Sequence, residues 1–335
     1  MRGQRRERAT LVDVAKASRV SRQTVSNAMN NPDRVAPETL ERVRAEIARL
    51  GFRPNRAARS LRRQRANAIG FQVEQAAGRP VGNILDPFLS ALTASAQADD
   101  AHLITFVADD ERVLRTYDRL LATQVVDGFV LTHTRHADPR AAWLREREVP
   151  FVSFGRIWDD PTVTSWVDVD GRAGTVAGVE HLRDRGYRRI AWLGWPGGSP
   201  VGDERRKGWA DATADLDQDA GLLSGTTPQD ALQASAATDR LLDALEPGDA
   251  IGCVSDIVAL GVTLAMSRRG LRPGADIGVM GFDDGGIAEV FDISTVRQPL
   301  EDIADALVRM LEQPTEPSEG LIIVPAVVPR ASTSR

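Results

Sequence analysis

Arg22 and Gln23 stand side by side after Ser21, ahead of an apolar stripe formed by Val25, Ala28 and Met29. An arginine fork bonds guanine O6 and N7, and a glutamine amide bonds adenine N6 and N7 in the same bidentate way. Facing outward with Ser26 at the start of a helix, these side chains have the chemistry to read DNA base edges. A second group, Arg56, Arg59, Arg62 and Arg63 around Leu61, combines phosphate-binding cations with one apolar wedge. A third lies far downstream, where Arg156, Trp158, Trp166 and Trp195 offer a guanidinium and indole faces suited to a sugar ring. Plain packing is the more frequent role of any one such tryptophan, and a surface ion pair is the alternative for Arg156.

The elements that must position the first group are legible. Thr10-Leu-Val-Asp13 is a capping box, and Leu11, Val14 and Ala15 recur at helical spacing after it. The helix stops near Ser18-Arg19-Val20, and Ser21 caps a second one. Pro37 opens a third, whose Leu40, Val43, Ile47 and Leu50 face inward and which Gly51 closes. A short helix, a tight turn and a second short helix describe a helix-turn-helix, or equally a fragment of an ordinary bundle. Residues 56–63 are too few to hold a helix alone in water, so they fold against a polyphosphate groove or remain a basic linker.

Charge divides the chain at the same place. Of its 335 residues, the first 65 carry 17 Lys+Arg against 6 Asp+Glu, a charge of +11, whereas the rest carry 25 against 41, a charge of −16. A basic, patterned head on an acidic body points to a polyanion-binding module joined to a ligand or partner module. One cysteine, Cys253, excludes an intramolecular disulfide framework and multi-thiolate zinc sites. No apolar run approaches the roughly 18–20 residues of a membrane span, and the N-terminus lacks the apolar segment of a signal peptide. The expected location is the cytoplasm, with no membrane partner.

Past residue 67 the periodicity changes. Short, mostly apolar runs at 68–73, 102–107, 128–132, 150–154, 189–194, 250–254 and 277–281 read as strands. Helical stretches at 87–98, 112–123, 172–185, 229–245 and 257–269 separate most of them. Such alternation predicts parallel sheets covered on both faces, here in two lobes with a cleft between them. Enzyme signals fail. Gly194–Pro200 lacks the Lys-Ser/Thr of a phosphate loop, and His133 and His136 have no partnered ligand motif. There is no GxSxG elbow, and Asp283-Asp284 has no general-acid partner motif. No catalytic residue, metal or cofactor is expected.

Val12-Asp-Val-Ala15, Val20-Ser21-(Arg-Gln)-Thr24-Val25-Ser26, Arg34-Val35, Leu50-Gly51-Phe52-Arg53-Pro54-Asn55 and Ala58-Arg59-Ser60-Leu61 resemble, without a gap, the DNA-binding head and hinge of the LacI/GalR family of bacterial repressors. The likeness continues through Val126-Asp-Gly128, Val169-Asp-Gly-Arg-Ala-Gly174, His181-Leu182, Gly186-Tyr-Arg-Arg-Ile190, Arg205-Arg-Lys-Gly-Trp209, Ser255-Asp256, Gly281-Phe-Asp-Asp284 and Arg330-Ala-Ser-Thr333. The resemblance implies a small all-α helix-turn-helix head (1–54), a hinge helix (55–66) and an α/β, two-lobed, periplasmic-binding-protein-like body with parallel sheets (67–335). It implies a DNA-facing set of Thr10, Ser21, Arg22, Gln23, Thr24, Ser26 and Asn27 in the head, with Asn55, Arg56, Ala58, Arg59, Leu61 and Arg62 in the hinge. Arg22 and Gln23 fall on the specificity-setting pair, Asn27 where some members have a base-contacting arginine, and Leu61 on the intercalating leucine.

In the body, the resemblance carries Arg205, Ser255 and Asp283 to the inter-lobe cleft, joining Arg156 and Trp158 as effector-binding candidates. A fork and a carboxylate grip neighbouring hydroxyls from opposite sides, which suits a polyol. The implied partners are palindromic operator DNA, a sugar effector and a second copy of the chain, its interface including parts of 87–98 and 257–269. A nucleobase or nucleoside effector is the alternative. A transport binding protein leaves the head unexplained, and a sugar kinase or other α/β enzyme lacks its catalytic constellation.

Overall fold

The computed structural model describes residues 9–52, 66–73, 84–109, 112–313 and 320–335. The hinge candidates Asn55, Arg56, Ala58, Arg59, Leu61 and Arg62 lie outside the described residues. Two units, divided at Arg65, are described separately below.

In the head, α1 (Leu11–Ala17) starts where the Asp13 amide donates to the Thr10 hydroxyl (3.3 Å) and the Asp13 carboxylate accepts the Thr10 amide (2.8 Å). The turn forms as Ser18 donates back to the Val14 carbonyl (2.6 Å) and Arg19 takes a left-handed φ of 54°. Ser21 then accepts the Thr24 amide (3.0 Å), starting α2 (Arg22–Asn30). Pro37 occupies the first turn of α3 (Pro37–Leu50), and Gly51 ends it at φ 62°. Val14, Ala15, Val25, Ala28, Val43 and Phe52 form the core, and Arg42 Nε donates to the Ser18 carbonyl (3.1 Å), tying α3 to the turn. One expectation is corrected here: Ser26 does not face outward with Arg22 and Gln23 but is 8% exposed. α1 and α3 both pack against α2, and a serine is small enough to be buried beside its apolar stripe.

The body begins with β1 (Ala68–Gln72), α4 (Leu85–Ala98), β2 (His102–Phe106), α5 (Val113–Ala122), β3 (Gly128–Leu131), α6 (Pro139–Glu146), β4 (Phe151–Phe154) and β5 (Trp166–Val169). The chain then enters a second lobe with α7 (Gly171–Asp184), β6 (Ile190–Gly194), α8 (Pro200–Ala212), β7 (Ser224–Thr226), α9 (Ala231–Ala244), β8 (Ala250–Cys253), α10 (Asp256–Arg268), β9 (Gly278–Met280), α11 (Gly286–Val290) and β10 (Thr295–Arg297). It returns through α12 (Leu300–Glu312) and β11 (Leu321–Ile323), and crosses once more to β12 (Ala326–Val328). The first sheet has the order β11-β5-β4-β3-β1-β2 and the second β7-β6-β8-β9, both parallel, while β10 and β12 pair antiparallel.

Parallel strands covered by helices on both faces must be apolar throughout, and β3 and β8 are buried at every position. α12 packs with α4 on the first sheet, placing Ile303, Leu307, Phe88 and Leu92 in one cluster. In the second lobe Trp192 and Trp209 stack with ring centroids 6.2 Å apart. α10 is buried from Asp256 to Val262, while Ser267 and Arg268 at its end are exposed. No helix among the described residues is long and apolar enough to cross a membrane.

Candidate functional site

The head presents Arg22 and Gln23, both exposed, at the N-terminal end of α2. Ser21 fixes that end and pairs its hydroxyl with Thr24 Oγ1 (2.9 Å). Free amides and the helix dipole there favour a phosphate. Gln23 Nε2 donates to Oδ1 of half-buried Asn27 (3.1 Å), so the glutamine amide is held in one orientation. Arg22 has no ion-pair or hydrogen-bond partner among the described residues, which leaves its fork available. Exposed Thr10 is engaged in its own capping box.

In the body a cavity of about 1160 Å³ lies between the two sheets. Its wall is built from residues at the carboxyl ends of the parallel strands, the place where open α/β sheets bind ligands. Phe71 comes from β1 and Val73 from just beyond it, Thr132–Arg135 from the loop after β3, and Phe154 and Trp158 from the end of β4 and beyond. Trp195, Glu204, Arg205, Gln229, Ile257, Asp283 and Gln298 come from the second lobe and the crossing beyond it.

Arg205 is 4% exposed. α8 begins at the Ser199 cap with Pro200 in its first turn, and its Gly202 leaves room for the Trp195 ring. Arg205 Nη1 donates to the Val254 carbonyl (2.7 Å) and to Asp283 Oδ1 (3.4 Å), and the guanidinium lies 3.6 Å from the Phe282 ring centre and 5.7 Å from that of Trp195. Its Nε is buried without a hydrogen-bond partner among the described residues. An unmade bond of this kind costs about 1–3 kcal/mol. Gly171 faces this side chain; a Cβ there would lie 3.2 Å from Arg205 Cγ.

Asp283 accepts Gln298 Nε2 (2.6 Å), and its amide donates to the Val296 carbonyl (2.8 Å). It holds a φ of 116°, a costly conformation for a residue with a side chain and one that concentrates at binding sites. Burial raises its carboxyl above the ordinary value, opposed by Arg205, and burial lowers the Arg205 guanidinium. Behind it, Asp256 accepts Thr295 Oγ1 (2.5 Å) and the Gly285 amide (2.8 Å); burial and neighbouring Asp283 push its carboxyl up to about 8.

A second polar group faces the first. Arg156 Nε donates to Asp168 (2.7 Å) from within one lobe, and its Nη2 reaches Glu204 (2.8 Å) on the other. The guanidinium lies 5.0 Å from the Trp158 ring centre, and Trp158 Nε1 is buried with no partner among the described residues. Burial raises the Glu204 carboxyl, Asp168 and Asp170 add to that, and Arg156 opposes it. The loop carrying Trp158 is clasped by Asp159, which accepts from the Ala137 amide and pairs with His136 (2.5 Å).

The structure thus brings Trp158, Arg205 and Asp283 to one cavity, with Arg156 bonded to the lining residues Asp168 and Glu204. Ser255 stands behind it, fully buried as the α10 cap and donating to Gln229 Oε1 (2.8 Å); the same oxygen accepts Trp195 Nε1 (2.7 Å). Ser255 therefore touches the cavity wall only by way of Gln229. Asp168, Glu204, Gln229, Asp256 and Gln298 went unnoticed in the sequence as site residues. Only Asp256 and Glu204 had a signal, as immediate neighbours of Ser255 and Arg205.

Residues 10–55 match the model for bacterial regulatory proteins of the lacI family, and residues 179–333 that for a periplasmic binding protein-like domain. The HTH-type transcriptional regulator CelR of Thermobifida fusca is 33% identical over 318 residues, spanning 92% of this chain and 92% of that protein. The HTH-type transcriptional repressor CytR of Escherichia coli (strain K12) is 27% identical, spanning 91% of this chain and 89% of its own. Among solved structures, a CelR–cellobiose complex superposes with a TM-score of 0.71 at 27% identity, covering 97% of this chain and all of that one. The lac repressor dimer bound to operator and the anti-inducer ONPF gives 0.80 at 25% identity, covering 98% and 100%.

Proposed function

Because the chain belongs to the LacI family of bacterial transcriptional regulators, we propose that it represses carbohydrate-utilisation genes in the cytoplasm, as a homodimer on a palindromic operator whose affinity a small sugar controls. The observation that carries the effector is the Arg205–Asp283 pair, buried on the wall of a roomy cavity with an unmet Arg205 N–H. A guanidinium beside a carboxylate matches vicinal hydroxyls, which accept and donate on adjacent carbons. Trp158 and Trp195 supply faces for the apolar side of the ring. The bound state of the relative CelR, a cellobiose complex, is in keeping with this.

Three segments join the lobes, after Val169, after Arg297 and after Ile323. A ligand touching both lobes favours one inter-lobe angle over another, and it can shift that balance only by its differential affinity for the two states. The proposed division of labour follows the sequence: residues 1–54 read DNA, 55–66 form a hinge helix when bound, and 67–335 sense and dimerise.

The test is thermal stability across mono- and disaccharides with nucleosides beside them, since indole faces also stack nucleobases. A ligand at 100 times its Kd adds about 2.7 kcal/mol. A shift with nucleosides alone replaces the sugar reading. Sedimentation should show a dimer at micromolar concentration, because one helix-turn-helix covers only a half-site.

A further inference from the structure

Two groups of similar chemistry border the cavity. At one, Arg205 lies 5.7 Å from the Trp195 ring centre and bonds Asp283. At the other, Arg156 lies 5.0 Å from the Trp158 ring centre and bonds Glu204. Each joins an indole, a guanidinium and a carboxylate, and each has a buried N–H without an acceptor among the described residues, Arg205 Nε and Trp158 Nε1. Glu204 and Arg205 are consecutive on α8, so their side chains diverge by about 100°. One turns to the first lobe, the other to the interior of the second. The volume of about 1160 Å³ exceeds the roughly 300–1,000 Å³ typical of sites that bury a drug-sized molecule, which leaves room for more than one pyranose.

We propose that the effector is an oligosaccharide of at least two pyranose units, one ring at Arg205–Trp195–Asp283 and the next at Arg156–Trp158–Glu204. This rests on the sugar reading above and deepens it. An indole takes the apolar face of a pyranose while the charged pair takes its hydroxyl rim, so two such stations suit two linked rings. A ligand spanning both stations also bridges the lobes where the Arg156–Glu204 pair already does, and so senses their separation.

Calorimetric titration of the full chain tests this, using glucose and galactose beside cellobiose, maltose, lactose and melibiose. At least one disaccharide should bind about tenfold or more tightly than either of its component sugars. Trp158→Ala and Glu204→Gln should bring that disaccharide down to the monosaccharide affinity while moving the monosaccharide little. Arg205→Ala should weaken both. A monosaccharide binding as tightly as every disaccharide that contains it overturns the proposal, as does an equal proportional loss for both lengths in Trp158→Ala and Glu204→Gln. Binding by no sugar of either length, or sugar binding indifferent to Arg205→Ala, removes the underlying sugar reading and this inference with it.

Discussion

Asp256 gives the cleft wall a pH signature. Its carboxyl is pushed up to about 8 in the folded chain, far above the ordinary value of about 4 that it regains on unfolding. The native state therefore keeps a proton between those values that the unfolded state releases. Its stabilising effect is complete below the unfolded value and is lost as pH rises toward 8. Glu204, raised by burial, acts in the same direction. The melting temperature should fall from pH 6 to pH 9, and Asp256→Asn, which keeps the shape and the contacts to Thr295 and Gly285, should flatten that fall. An unchanged slope in the variant would place the proton elsewhere. In the head, the exposed fork of Arg22 and the oriented amide of Gln23 lead to a different expectation. Replacing either with alanine should cost about 1–3 kcal/mol on the preferred site and alter the consensus recovered by binding-site selection. The same consensus from both variants would remove these residues from base reading.

At the scale of elements, what was legible follows burial. Strands β1 to β4, β6, β8 and β9 read as apolar runs, whereas β5, β7 and β11 did not, and α1 to α3 announced themselves through caps and a closing glycine. β5 was hidden because Asp168 interrupts its apolar run, turning from the sheet to meet Arg156. α8 was hidden for a related reason: its buried face is Gly202, Arg205, Gly208 and Trp209, two glycines and a cation where a periodic helix has aliphatics. The site thus sits where local pattern fails. Arg205 and Asp283 were found through their motifs, whereas lone Gln229 and Gln298 share no spacing with anything and meet only through the fold. Gly208 yields a prediction at this scale. A Cβ there would lie 3.0 Å from Thr175 Cβ and closer still to the Arg172 carbonyl. Gly208→Ala should push α8 off α7, cost about 1–3 kcal/mol in denaturant unfolding, and weaken effector binding by shifting Glu204 and Arg205. Full stability in the alanine variant would show that the two helices separate freely.

For the whole molecule, the function proposed above requires that a cleft in the body govern contacts made by the head. On that proposal the basic segment 56–63, too short by its sequence to hold a helix alone in water, would supply the sensitivity. A modest change in lobe angle would then be enough to favour or disfavour a pair of such segments. Linkage fixes the rest. If sugar changes operator affinity by some factor, operator changes sugar affinity by the same factor. Arg205 and Asp283 lie in the body and have no part in reading bases, so truncating them should separate the two events. Each truncation strands a buried polar partner: without Asp283, the Arg205 guanidinium keeps only the Val254 carbonyl, and Gln298 loses its acceptor. Hydrogen bonds to charged groups are worth about 1.5–3 kcal/mol, tenfold or more in affinity. Arg205→Ala and Asp283→Ala should therefore hold operator with wild-type affinity in the absence of sugar. The sugar needed to change that affinity should rise at least tenfold. Titrating operator binding against the effector found in the stability screen decides it, and an undiminished response in both variants would take the pair out of the effector site.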